Sequence, residues 1–270
     1  MSFDPGTPTA AVLADDHLFA AWLAEAAGRR LLEVRAEAPA QGIEGKELKD
    51  AGDAAANTLL LELVGRYRPD DAVLSEEARE THGDAARLSA DRVWIIDPLD
   101  GTREFSEPPR DDWAVHVALW ESSNGGELTV GAVAQPALGE TFHTGNPPVV
   151  PPRDPAARPR IAVSRSRPPA FVEALAAELD AELVPMGSAG VKMISVCRDV
   201  TDAYVHAGGQ YEWDSAAPVA VAAAAGLFTS RVDGSPLRYN QDDVYLPDVI
   251  VCRPELAERI VAFVREHGTD

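Results

Sequence analysis

The hexapeptide Asp97-Pro98-Leu99-Asp100-Gly101-Thr102 carries two carboxylates, at i and i+3, around a proline. Proline fixes its own φ, so this turn is stiff and both carboxylates can converge on one point. Two close anions repel, and one pKa must then rise. A divalent cation between them removes the conflict. Donors that are all oxygen, with no Cys or His, suit magnesium, manganese or calcium. Gly101 lets a ligand approach the backbone closely. The N–H groups of Gly101 and Thr102 would open a helix or tight turn, where a phosphate oxygen can be held. The Thr102 hydroxyl can orient a water. On these six residues alone, a plain helix N-cap explains Asp100 equally well.

Further acidic and basic groups bear on the choice. Glu76 and Glu77 end a short strand just before the strand of Asp97, and strand ends are where α/β sites gather ligands. Asp214 follows Trp213 and opens an alanine-rich helix, where it too could be an N-cap. Ser164-Arg165-Ser166-Arg167 sits at a strand end in a chain poor in basic residues. Ser188 and Lys192 lie at a helix start. Hydroxyls, a lysine and a helix N-terminus together form a candidate second phosphate site, and a solvated basic loop is the other reading. Gly208 and Gly209 leave room for a bulky base before Asp214. His116 alternates along a strand and reads as structural. Trp94, Trp113 and Trp120 read as core or sheet packing.

The elements that would position these groups follow from periodicity. Apolar residues at helical spacing predict helices over 11–36 and 52–67, with a mobile polar loop, QGIEGKELKDAGD, between them. Strands are expected at 72–74 and 92–96, then at 113–121 and 127–135 joined by a hairpin at Asn124-Gly125-Gly126, with a short strand near 141–143. Residues 146–159 hold six prolines, which forbid a central strand and mark a boundary between residues 1–150 and 151–270. Beyond it, strands at 160–163, 182–185, 202–207 and 247–252 alternate with helices at 168–179, 188–198, 214–226 and 254–266, an α/β pattern.

Composition narrows the partners. The 270 residues are 46% hydrophobic, enough for a sizeable core. A net charge of −20, from 24 basic and 44 acidic side chains, repels nucleic acid polymers and anionic membranes. It would repel a phosphorylated substrate too, unless bound cations reverse the local field. The two cysteines, Cys197 and Cys252, sit in apolar contexts and make neither a disulfide framework nor a zinc cluster. The start MSFDPGTPTA lacks the features of a signal peptide, and no apolar run reaches the ~20 residues of a membrane span, so a cytoplasmic location is expected.

DPLDGT, the upstream Ser75-Glu76-Glu77 and the downstream Trp213-Asp214-Ser215-Ala216-Ala217 resemble, in order and spacing, the motifs of the inositol monophosphatase superfamily of magnesium-dependent, lithium-sensitive phosphatases. The resemblance runs from about Gly52 to Cys252. It implies that Glu76, Asp97 and the Leu99 carbonyl hold one magnesium, and that Asp97, Asp100 and Asp214 hold a second. It matches Asp53 to an aspartate that supports a third ion or the attacking water. That aspartate usually follows threonine and alanine, whereas here the segment is Lys49-Asp50-Ala51-Gly52-Asp53. Glu77 would sit behind the ligands. DPLDGTREF, AVSRSRPP, MGSAGVKM and GSPLRYN are most similar to the CysQ-type 3′(2′),5′-bisphosphate nucleotidases, notably actinobacterial ones. These remove the 3′-phosphate of adenosine 3′,5′-bisphosphate, a by-product of sulfate assimilation. In them a histidine near the SRS segment contacts adenine, and here Arg167 takes that place, where its guanidinium could stack on a base.

The expectation is therefore a layered αβαβα sandwich with the cluster between its halves, Glu76, Asp53 and Thr102 catalytic, and two or three magnesium ions. Gly101, Thr102, Ser164, Arg167, Ser188 and Lys192 would bind a small phosphorylated nucleotide. The chain would act as a monomer or homodimer, without nucleic acid polymer or membrane. An inositol 1-phosphate or fructose 1,6-bisphosphate phosphatase is the alternative, and a non-catalytic divalent-cation-binding protein the remote one.

Overall fold

The computed structural model describes residues 3–77, 85–166 and 168–269. Among the described residues, ten strands form two five-stranded sheets. The first has the order β1-β2-β3-β4-β5, with β1 Ala72–Ser75, β2 Arg92–Asp100, β3 Ala114–Glu121, β4 Glu127–Gln135 and β5 Glu140–His143. Only β1 and β2 run parallel; β2 to β5 form an antiparallel meander. The second has the order β7-β6-β8-β10-β9, with β6 Arg160–Ser164, β7 Glu182–Met186, β8 Ala203–Tyr211, β9 Phe228–Ser230 and β10 Tyr245–Cys252.

Helices complete five layers. On the outer face of the first sheet lie α1 Ala10–Ala14, α2 Asp16–Gln41 and α3 Gly45–Tyr67. The single turn α4 Thr102–Phe105 follows β2. Between the sheets lie α6 Ala189–Cys197 and α7 Glu212–Ala224. Outside the second sheet lie α5 Ala170–Leu179 and α8 Pro254–His267. The chain is the layered αβαβα sandwich that its motifs imply.

Strand alternation explains the layering. On β2, Trp94 and Ile96 point to α2 and α3, while Val93 and Ile95 point to α6 and α7. Both faces are covered, so the strand reads as one apolar run. Continuing the alternation puts Asp97 on the inner face, and His116 pairs directly with it from β3. Each fully buried Leu, Ile or Val in these clusters contributes roughly 1.5–3 kcal/mol, which anchors the strand that ends in the acidic turn.

Several expected boundaries shift. Asp15 caps α2 with its side chain and breaks the first helix in two. The polar segment expected to be a mobile loop is mostly helix: α3 starts at Gly45, and only Gly42, left-handed at φ 69°, and its neighbours separate it from α2. Strand β2 continues past Asp97 to Asp100. Strand β9 has no counterpart in the sequence reading. Residues 147–153, within the proline-rich segment, carry no helix, strand or turn. Both cysteines are free and buried, and burial pushes the Cys197 thiol up to about 12. No described helix is long and apolar enough to cross a membrane.

Candidate active site

Asp97 is 1% exposed at the inner face of β2. The Leu99 N–H donates to its Oδ1 at 3.0 Å, closing the turn across Pro98. The buried Leu99 side chain ties that turn to the core under α3. Glu76 follows β1 directly and shares a side-chain hydrogen bond with Asp97. Burial, then the charges of Glu76, Asp100 and Asp214, push Asp97 well above the usual carboxylate range. Asp97 and Asp100 thus stand together at a buried point that the charges of Glu76 and Asp214 reach.

Asp100 is a cap, but not of the helix it precedes. Its Oδ2 accepts from Ser188 Oγ and from Gly190 N, each at 2.6 Å, and its Oδ1 from Ala189 N at 3.2 Å. These donors belong to the start of α6, in the other half of the chain. Asp214 is the third residue of α7, and its Oδ2 accepts from Tyr211 N at 2.6 Å. Gly101 adopts φ 88° ahead of α4, a left-handed conformation that favours glycine. Thr102 follows, half-buried.

Asp53 lies on α3 facing the same cluster. Burial, then Glu77, Glu76 and Asp50, push it up to about 8, against Lys49. The altered residues before Asp53 thus do not remove it from the acidic group.

Ser188 is the N-cap of α6, with Oγ accepting from Val191 N. Lys192, 7% exposed, donates from Nζ to the carbonyls of Ser188 at 2.7 Å and Gly187 at 3.3 Å, and lies 5.4 Å from the Tyr204 ring centroid. Burial pulls its amine below the usual lysine range, opposed by Asp100, Glu104, Asp112 and Asp214. Two of the three ammonium donors thus brace the loop before α6. Ser164 ends β6, in register with Met186 of β7. Its neighbour Arg165 turns to Glu104 and Glu107, at 2.7 and 3.0 Å. Arg167 lies outside the described residues. The structure joins Asp100 to Ser188 by a hydrogen bond, seats Lys192 on the Ser188 carbonyl, and brings Asp97 within reach of the charges of Glu76, Asp100 and Asp214, and Asp53 within reach of Glu76.

His116, which the sequence reads as a structural strand residue, stands at this centre. It is fully buried, with Nδ1 3.1 Å from the Trp213 carbonyl and Nε2 3.4 Å from Asp100 Oδ2. Burial holds the imidazole below the usual histidine range, against Asp100 and the Trp213 carbonyl. The register that sets it opposite Asp97 was the signal that strand alternation alone could not supply.

Chemically, this is a set of mutually repelling carboxylate oxygens that a hard divalent cation would neutralise. Asp97, Asp100 and His116 present ligand-type atoms within 4.8 Å of one another. The donor set fits a metal ion.

The sequence matches the model of the inositol monophosphatase family over residues 18–269. It is 53% identical over 246 residues to a 3′-phosphoadenosine 5′-phosphate phosphatase of Mycobacterium tuberculosis, covering 89% of this chain and 90% of that protein. To the 3′(2′),5′-bisphosphate nucleotidase CysQ of Escherichia coli K12 it is 31% identical, covering 73% of this chain and 81% of that one. The fold superposes on the crystal structure of CysQ from Bacteroides thetaiotaomicron with a TM-score of 0.70 at 25% identity, over 87% of this chain and 96% of the other. The chain belongs to the inositol monophosphatase family.

Proposed function

We propose that this protein is a magnesium-dependent phosphatase that hydrolyses the 3′-phosphate of adenosine 3′,5′-bisphosphate to AMP and phosphate, in sulfur assimilation. The observation that carries the reading is the pairing of Asp97 with Asp100 at a buried point, with Asp97 driven well above its ordinary range by burial and by the charges of Glu76, Asp100 and Asp214. A relative 53% identical over 246 residues is named 3′-phosphoadenosine 5′-phosphate phosphatase.

Glu76, Asp97, Asp214, Asp100 and the Leu99 carbonyl would hold the cations, two or three in number. Bound there, magnesium acidifies a water and neutralises charge on the phosphoryl group and leaving oxygen. The chain's own groups do the rest. Gly101 and Thr102 hold the phosphate at the start of α4, and the Thr102 hydroxyl orients the water. The water oxygen bonds to phosphorus as the bond from phosphorus to the 3′ oxygen breaks. Asp53, with Glu76 beside it, takes the proton that the attacking water gives up. The 3′ oxygen leaves as an alcohol after gaining a proton from a solvent water.

Residues 1–150 then supply most cation ligands, and residues 151–270 supply Asp214 and the contacts to the second phosphate through Ser164, Arg167, Ser188 and Lys192. The protein works in the cytoplasm as a monomer or homodimer, and lithium inhibits it. The direct test is phosphate release from adenosine 3′,5′-bisphosphate. Turnover should vanish on exhaustive chelation and return with magnesium. Full turnover without any divalent cation would sink the reading.

A further inference from the structure

One buried side chain at this centre has no part in the chemistry above. His116 Nε2 is buried and makes no hydrogen bond of its own, although the ring lies between residues from both halves of the chain. Its Nδ1 meets the Trp213 carbonyl in the first turn of α7, one residue before Asp214. Because a carbonyl only accepts, Nδ1 must carry the hydrogen. The other edge of the ring faces Asp100 Oδ2 at 3.4 Å and rests on Gly190 in the first turn of α6. A Cβ at residue 190 would overlap the imidazole. On the sheet side, His116 is the cross-strand partner of Asp97, with Nδ1 3.9 Å from Asp97 Oδ2. One rigid ring thus touches the strand end of Asp97, the carboxylate of Asp100 and the helix that presents Asp214.

We propose that His116 is a positioning residue that fixes the spacing of the Asp97–Asp100 turn from the first turns of α6 and α7, and so pre-sets the carboxylates for the cation. The inference rests on the reading of this cluster as a metal centre. It differs from taking His116 as a ligand. Asp100 Oδ2, 3.4 Å from Nε2, already accepts from Ser188 Oγ and Gly190 N. The ring fills its slot against glycine. The hydrogen-bonded edge holds the Trp213 carbonyl, one residue before Asp214.

The pair His116→Leu and His116→Asn separates packing from positioning. Leucine fills much of the slot but cannot donate to the Trp213 carbonyl. Asparagine places its Nδ2 where Nδ1 stood and restores that bond. Manganese binding is read by electron paramagnetic resonance on the full chain without substrate, beside the magnesium half-saturation of turnover. His116→Leu should weaken cation affinity about 10–100-fold, while the substrate KM at saturating magnesium changes by less than about threefold. His116→Asn should recover affinity to within about threefold of the wild type. Should His116→Leu fail to fold, His116→Gln replaces it, since glutamine reaches the Nε2 end and leaves the Trp213 carbonyl unpaired.

Unchanged manganese affinity in both the Leu and Gln variants would overturn the proposal. So would imidazole nitrogen coupling to bound manganese in the wild type, which would make His116 a ligand. A wild-type protein that binds no manganese and needs no cation would instead overturn the metal-centre reading itself.

Discussion

Asp100 and Gly190 lie 90 residues apart in sequence and 2.6 Å apart in space, the carboxylate of one accepting from the backbone N–H of the other. This bond joins the acidic turn of the first sheet to the start of α6, in the second half of the chain. It gives Asp100 two separable duties, since capping needs an acceptor and cation binding needs a charge.

Asp100→Asn separates those duties. Asparagine caps about as well as aspartate, so stability should fall by only about 1 kcal/mol, or ~2–4 °C in Tm. Loss of charge at the cluster should cut kcat by at least about 100-fold, equivalent to roughly 2.7 kcal/mol. Thermal melts and steady-state kinetics on one preparation check both halves. A stable, fully active variant would leave Asp100 as a cap and nothing more.

A pH dependence follows from the raised carboxylates. Asp53 sits at about 8 in the folded chain against an ordinary 3.8, and Asp97 is also raised. The folded state thus holds protons that the unfolded state releases. Their contribution is fully present below the unfolded pKa and is lost as pH rises through the folded one. The Tm of the metal-free protein should therefore decline from about pH 5 to about pH 8, and added magnesium should raise it more at the upper end. Asp53→Asn should flatten the decline. A metal-free Tm that holds level across this range, with Asp53→Asn unchanged in slope, would contradict the acidic cluster as described.

Far from the cluster, Asp202 accepts from Arg253 Nε at 2.8 Å and Arg160 Nε at 3.1 Å, with the Arg253 and Asp202 side chains 4% and 1% exposed. Removing the carboxylate leaves a buried guanidinium short of its partner. Asp202→Ala should destabilise the fold by about 3–5 kcal/mol in denaturant titrations. Asp202 precedes β8 and Asp214 follows it, about 30 Å apart along an extended strand. The folded fraction should therefore keep its kcat.

The acidic turn was legible in sequence because its ligands are local: a strand that ends, a proline and two carboxylates at fixed spacing. The strands and helices were legible because β2 to β4 and the later alternation are periodic, and the layer order came with the family resemblance. What tertiary contacts decide was not. Asp100 reads as a cap of the helix beside it, and only the folded chain shows that it caps α6. His116 depends on strand register, which no local pattern specifies. The segment before Asp53 looked like a loop because of Gly42 and Gly45, yet Lys46-Glu47-Leu48-Lys49 are good helix formers, and a Lys46–Asp50 pair at i,i+4 supports the first turn.

Lys192 tests whether the second half reads a second phosphate. Two of its donors brace the loop before α6, and an anion could engage the third. Lys192→Met keeps the apolar stem and removes the charge. It should lower kcat/KM for adenosine 3′,5′-bisphosphate by about 30-fold, and for a simple aryl monophosphate by less than about threefold. Equal losses on both substrates would assign Lys192 to loop support alone.

The central claim is that this acidic centre serves a nucleotide bisphosphate and not a polyol phosphate. Inositol phosphatases place a glutamate seven residues before the aspartate of the Trp-Asp pair. Here that residue is Ala207, whose side chain cannot accept a hydrogen bond from a ring hydroxyl. A site without the polar partner loses selectivity for the polyol. The deciding measurement is the ratio of kcat/KM for adenosine 3′,5′-bisphosphate to that for inositol 1-phosphate, at saturating magnesium. The account predicts a ratio of at least about 100, or roughly 2.7 kcal/mol of differential transition-state binding. A ratio near one, or one that favours inositol 1-phosphate, would contradict it.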